Sequence, residues 1–115
     1  MTGDEAVVTT TTEQGVSVVS LCGDIDEEHA PALARALAAT PPGGLARTVV
    51  DMSRTRFADS SVLHALLDAQ RAHRAAGAAL VLAGPLQIAV RRLFEVTGAA
   101  SAFRMADTLE AALTP

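Results

Sequence analysis

Three consecutive polar residues, Asp59, Ser60 and Ser61, stand directly before a run in which Val62, Leu63, Leu66 and Leu67 recur at helical spacing. All three are residue types that cap a helix N-terminus. Such a terminus carries unsatisfied N–H groups and the positive end of the helix dipole. It therefore favours an anion, including a phosphate carried on a serine hydroxyl. The same residues also fit a simple cap with no further role. As nucleophiles the two serines are poorly placed. A hydrolase elbow reads Gly-x-Ser-x-Gly, whereas Ser60 here is flanked by Asp59 and followed by Val62 two residues on. His64, one turn later on the same helix, points along the helix surface and not back over the serine.

Other groups that could bind or react are sparse. His64 and Asp68 share the i, i+4 spacing of two metal ligands but have no third partner. His29, His64 and His73 read as ordinary polar positions, and the glycines serve turns and caps, with no phosphate loop among them. Nothing calls for a cofactor. Asp24 and Asp26 belong to an acidic stretch, Gly23 to His29, read as a loop in which Asp26 orders the turn before Pro31. Asp51 ends an apolar strand, where a receiver domain would carry its phosphoaccepting aspartate. A receiver also needs an acidic pair after its first strand and a lysine on its last. The first strand here ends in threonines and the chain has no lysine, so Asp51 reads as a cap of the loop that follows.

The elements that position these residues follow from pattern. Ala6 to Thr12 reads as a strand, Glu13-Gln14-Gly15 as a turn, and Val16 to Cys22 as the returning arm of a hairpin. Pro31 suits the first turn of a helix whose apolar stripe is Leu33 and Leu37, and Thr40-Pro41-Pro42-Gly43-Gly44 stops it. Leu45 to Asp51 is a buried strand. The central helix runs from Ser60 to about Ala76 with Gly77 as its stop, and Ala78 to Ala83 is a strand apolar on both faces. Gly84-Pro85 opens a third helix that Gly98 ends. Phe103-Arg104-Met105 makes a short last strand, and Asp107-Thr108-Leu109-Glu110 resembles a capping box opening a C-terminal helix. Alternating strands and helices of this kind predict an α/β fold with right-handed crossovers.

Bulk properties narrow the function. A chain of 115 residues, half of them apolar, with a net charge of −4, suits one globular domain over residues 1–115. The mild acidity argues against nucleic acid as a partner. No signal peptide, lipidation motif or membrane-spanning run is present. The single cysteine, Cys22, reads as a small buried hydrophobe. A reducing cytoplasm fits all of this.

Three stretches together resemble one family. Arg56-Phe57-Ala58-Asp59-Ser60-Ser61-Val62 is similar to the Phe/Met-x-Asp-Ser-Ser/Thr-Gly-Leu signature of STAS domains, named for sulfate transporters and anti-sigma factor antagonists. Leu21-Cys22-Gly23-Asp24-Ile25-Asp26 resembles the family's Leu-x-Gly-Glu/Asp-Leu/Ile-Asp. Val90 to Gly98 resembles its late helix, which ends Leu-Phe-x-x-x-Gly. The resemblance implies a mixed sheet of four to five strands with about four helices. It also implies a bacterial anti-sigma factor antagonist, a binding switch and not an enzyme. Its partner would be an anti-sigma factor that is also a serine kinase. That kinase would phosphorylate Ser60, or less readily Ser61, and a PP2C-type phosphatase would reset it. Asp24, Asp26, Asp59, Ser60, Ser61, Val62 and His64 would form the docking surface. The alternative is a non-phosphorylated STAS scaffold, for example the small subunit of a lipid ABC transporter. Val62 departs from the family, which carries glycine there. If it faces outward it obstructs the kinase, so that Val62→Gly speeds phosphorylation and costs little stability; if it faces inward it continues the Val62–Leu66 stripe into the core.

Overall fold

Val7–Glu13 (β1) and Val16–Ile25 (β2) form an antiparallel hairpin across Gln14-Gly15, whose φ angles of 55° and 78° give the tight turn that a twisted hairpin prefers. The computed structural model describes residues 6–39 and 47–114. The expected Thr40–Gly44 stop and the beginning of the Leu45 strand lie outside them. The remaining elements are α1 (Ala30–Ala38), β3 (Arg47–Asp51), β4 (Thr55–Ala58), α2 (Ser60–Ala75), β5 (Ala79–Ala83), α3 (Ile88–Thr97), a 3₁₀ turn at Ala99–Ala102, β6 (Arg104–Ala106) and α4 (Leu109–Leu113).

The sheet runs β1-β2-β3-β5-β6, with β1 antiparallel to β2 and every other pairing parallel. A sixth strand, β4, pairs in parallel with the far end of β2 and was not foreseen. Two further expectations are corrected. Gly23 to Ile25 belong to β2 and not to the acidic loop, because β4 supplies the partner that keeps them extended. The third helix starts at Ile88, not at Gly84-Pro85, since the chain still follows the sheet there: Gly84 N–H donates to Ala106 O, 2.9 Å away.

Helices cover both faces of the sheet. Leu33 and Leu37 of α1, Val62, Leu63 and Leu66 of α2, and Val90 and Phe94 of α3 pack with Val19, Leu21, Val50 and Leu82 in one core. Phe94 meets Phe103 edge-on, with ring centroids 5.9 Å apart. The opposite face is smaller: Val18, Val49 and Val81 lie under Ala112 and Leu113 of α4. Arg47 donates to the Ala112 and Thr114 carbonyls and so holds the C-terminal end of that short helix. Gly77 (φ 75°) and Gly98 (φ 72°) follow α2 and α3 in the left-handed conformation that ends a helix without strain.

Buried polar groups are paired. His73 is buried, not an ordinary surface position: its Nδ1 donates to Ala69 O (2.8 Å), which leaves Nε2 to accept from the Thr48 hydroxyl (2.9 Å) and ties α2 to β3. Asp51 Oδ1 accepts from Ser53 N–H (3.0 Å) and its hydroxyl (2.8 Å), the loop-capping role read from the sequence. Cys22 is half-buried and unpaired in a disulfide.

Candidate functional site

The head of α2 is built by β4. Thr55 is fully buried, and its hydroxyl donates to Leu21 O at 2.7 Å, anchoring the strand against β2. The register sets Asp24 beside Phe57 and Ile25 beside Ala58. The chain therefore leaves the sheet at Asp26 and at Asp59 side by side, the first into the 26–29 turn and the second into α2.

Asp59 is the N-cap. Its Oδ1 accepts from the backbone N–H of Ser61 (3.0 Å) and of Val62 (3.3 Å), and from the Ser61 hydroxyl. A further backbone N–H, that of Glu27, reaches the same carboxylate and links the two exits from the sheet. The Ser61 hydroxyl above all, and then these backbone donors, hold the Asp59 carboxyl below its ordinary 3.8, outweighing the opposing effect of burial.

That shift gives a pH dependence whose sign is fixed. A carboxyl with a lowered folded-state pKa stabilises the fold above its unfolded value, and the contribution is lost as pH falls through the folded one. Asp59→Ala should therefore lower stability by about 1 kcal/mol at neutral pH, as for other N-caps. The gap between the two proteins should narrow once the pH drops below about 4. Urea unfolding of both forms across this range measures it, and a gap that is constant down to pH 2 would contradict the assignment.

The two serines differ. The Ser61 hydroxyl is spent on Asp59 and the residue is half-buried. Ser60, at the first helical position, is exposed, and its hydroxyl makes no hydrogen bond to any described residue. Beside them Asp26 accepts from Glu28 N–H at 3.0 Å and lies 2.9 Å from His29 Nδ1, ordering the turn as expected. Asp24 is exposed and ion-paired to Arg56 Nε at 2.8 Å. His64 is exposed one turn along α2. The β2–β4 register runs Asp24 and Asp26 alongside the strand that leads into Asp59, Ser60 and Ser61, and this edge with the head of α2 is the candidate surface. Val62 does not belong to it: its side chain is 0% exposed in the main core and can touch no partner. The helix turns the third position after its cap inward, so the family's glycine site faces the sheet here.

Sequence reasoning passed over Phe57. The chain has three phenylalanines; Phe94 and Phe103 are buried, whereas Phe57 is 46% exposed on β4, next to Asp24. Its place in the Phe-x-Asp-Ser signature was visible, but the strand that turns it outward was not. Among the described residues no group of acidic, histidine or cysteine side chains could hold a metal, and no helix is long and apolar enough to cross a membrane.

A family model described as "Mlab, STAS domain" matches residues 8–110. The chain belongs to the STAS domain family. An anti-sigma factor antagonist from Mycobacterium paratuberculosis is 34% identical and superposes with a TM-score of 0.75, over 98% of this chain and 95% of that one. A sulfate transporter family protein from Wolinella succinogenes (22% identity, TM-score 0.72, 90% and 85% covered) shares the fold. So does the anti-sigma factor antagonist SpoIIAA in its unphosphorylated form (18%, 0.67, 90% and 91%). No curated protein sequence matches this STAS chain.

Proposed function

We propose that residues 1–115 act as one STAS domain that is an anti-sigma factor antagonist, a binding switch whose phosphoacceptor is Ser60. The observation that carries this is the contrast at the head of α2: one serine is exposed with its hydroxyl bonded to no described residue, and the next is committed to the cap. The 34% identical antagonist supports the same reading. In the unmodified state the surface formed by Phe57, Ser60, His64 and the carboxylates of Asp24 and Asp26 docks on an anti-sigma factor that is also a serine kinase. The kinase passes the γ-phosphoryl group of ATP to Ser60 Oγ, with ADP leaving and the hydroxyl proton lost. A PP2C-type phosphatase returns the serine.

The local electrostatics suit release. The phosphate brings about −1.5 to −2 charge. Asp59 already takes the helix donors at Ser61 and Val62, so the new anion finds neighbouring carboxylates in place of free N–H groups. Its repulsion reaches roughly 8–10 Å at physiological salt, which confines the effect to the docking surface. Refolding is unnecessary, since Ser60 is exposed.

Incubation with the cognate kinase and ATP tests the reading. One phosphate should appear, on the peptide containing Asp59, in wild type and in Ser61→Ala, and none in Ser60→Ala. Label that persists in Ser60→Ala would move the site. The alternative keeps the fold: a non-phosphorylated STAS scaffold, for example the small subunit of a lipid ABC transporter. A confirmed partner with no phosphate on any form would establish that one.

A further inference from the structure

Among the described residues no strand covers the outer edge of β1, which leaves it as a template for another strand. Among the described residues β1 pairs with β2 alone and ends the sheet, while the opposite edge strand, β6, is only three residues long. Natural edges are blunted by proline, by lysine or other charge, or by a bulge. From Val7 to Thr12 this strand has none of these; it reads Val-Val-Thr-Thr-Thr-Thr and continues without a register shift to Glu13.

The hairpin fixes which backbone groups face outward. The pair closing the two-residue turn, Glu13 and Val16, exchanges hydrogen bonds, and such pairs alternate along an antiparallel ladder. Val7, Thr9, Thr11 and Glu13 therefore spend their N–H and C=O groups on β2. Those of Val8, Thr10 and Thr12 point away from the sheet. That spacing is self-complementary. Two copies set antiparallel with Thr10 opposite Thr10 bring Val8 opposite Thr12, and every outward donor meets an outward acceptor. The intervening pairs are Thr9 with Thr11, and Val7 with Glu13. Threonine pairs are favourable neighbours across strands, and the one charge faces valine and not its own copy.

We propose that β1 is a homodimerisation edge, joining two copies about a two-fold axis at Thr10 into one continuous sheet. The occupant is a second copy of this chain because the register returns the strand onto itself with its hydrogen bonds matched and no like charges opposed. The proposal does not depend on phosphorylation. β1 flanks Val16–Cys22 of β2, whereas β4 and the head of α2 lie at Gly23–Ile25. An edge contact of this length is smaller than a standard interface, so the dimer is weak and appears with rising concentration.

Sedimentation equilibrium of the full chain, from micromolar to millimolar concentration, provides the test. Wild type should approach the mass of two chains. Thr10→Arg sets two positive charges against each other on the axis and should weaken association at least about tenfold while leaving the melting temperature in place. Should that variant fail to fold, a cross-link decides. In a Cys22→Ser background, Thr10→Cys should oxidise to a disulfide-linked dimer, because paired strand residues about 5.5 Å apart at Cα fall within disulfide reach. Thr9→Cys, which faces Thr11, should do so far more slowly. A wild-type mass of one chain throughout, a dimer indifferent to Thr10→Arg, or equal cross-linking at positions 9 and 10 would each overturn the proposal.

Discussion

Ser60→Asp should weaken binding to the anti-sigma kinase by about 2–5 kcal/mol, the range found when a charge is left unpaired at a buried interface. Ser60→Ala should bind as wild type does. The asymmetry follows from position. Ser60 is exposed and its hydroxyl bonds to no described residue, so alanine removes no hydrogen bond seen among them. Aspartate adds a negative charge next to Asp59, with Asp26 at the adjoining exit from the sheet. Neither substitution should shift thermal stability much, which separates loss of docking from loss of fold. Titration calorimetry with the purified partner gives both affinities. Equal affinities for wild type and Ser60→Asp would remove the switch, whatever the labelling experiment shows.

Val62→Gly should be strongly destabilising. An outward-facing Val62 would make Val62→Gly cost only slight stability. The structure reverses that expectation. Val62 is fully buried among the residues of the main core. Emptying its site forfeits about 1.5–3 kcal/mol of burial. Glycine in the first turn of α2 adds a few tenths more in helix propensity. The sum is about 2–3.5 kcal/mol, or roughly 8–14 °C in melting temperature for a domain of this size. Because the side chain faces inward, the phosphorylation rate per folded molecule should not rise. Thermal melts and kinase assays below the melting range check both halves. A shift of a degree or two, or a faster reaction, would mean that Val62 is not packed as described.

Local signals were enough for most of the architecture. Asp-Ser-Ser before an apolar stripe at helical spacing defined the start of α2, since capping is a contest among nearest neighbours in sequence. Gly77 and Gly98 marked helix ends for an equally local reason, the left-handed backbone they adopt. The apolar runs ending at Asp51 and Ala83 announced central strands, because burial on both faces leaves no room for alternation. Even the capping role of Asp51 could be read from the polar loop after it.

What local pattern could not carry was decided by partners far along the chain. β4 has four residues, buried at its ends and exposed in the middle, so neither strand periodicity nor length betrays it. It exists because Gly23–Ile25 offer it a ladder, and that same ladder extends β2 beyond Cys22. The burial of His73 depends on Thr48, which approaches only when α2 packs on β3. The division of labour between Ser60 and Ser61, adjacent residues of one type, was equally hidden. Composition cannot separate them; the curl of the first helical turn does, directing one hydroxyl to the Asp59 carboxylate and the other to solvent, and turning Val62 inward beneath them.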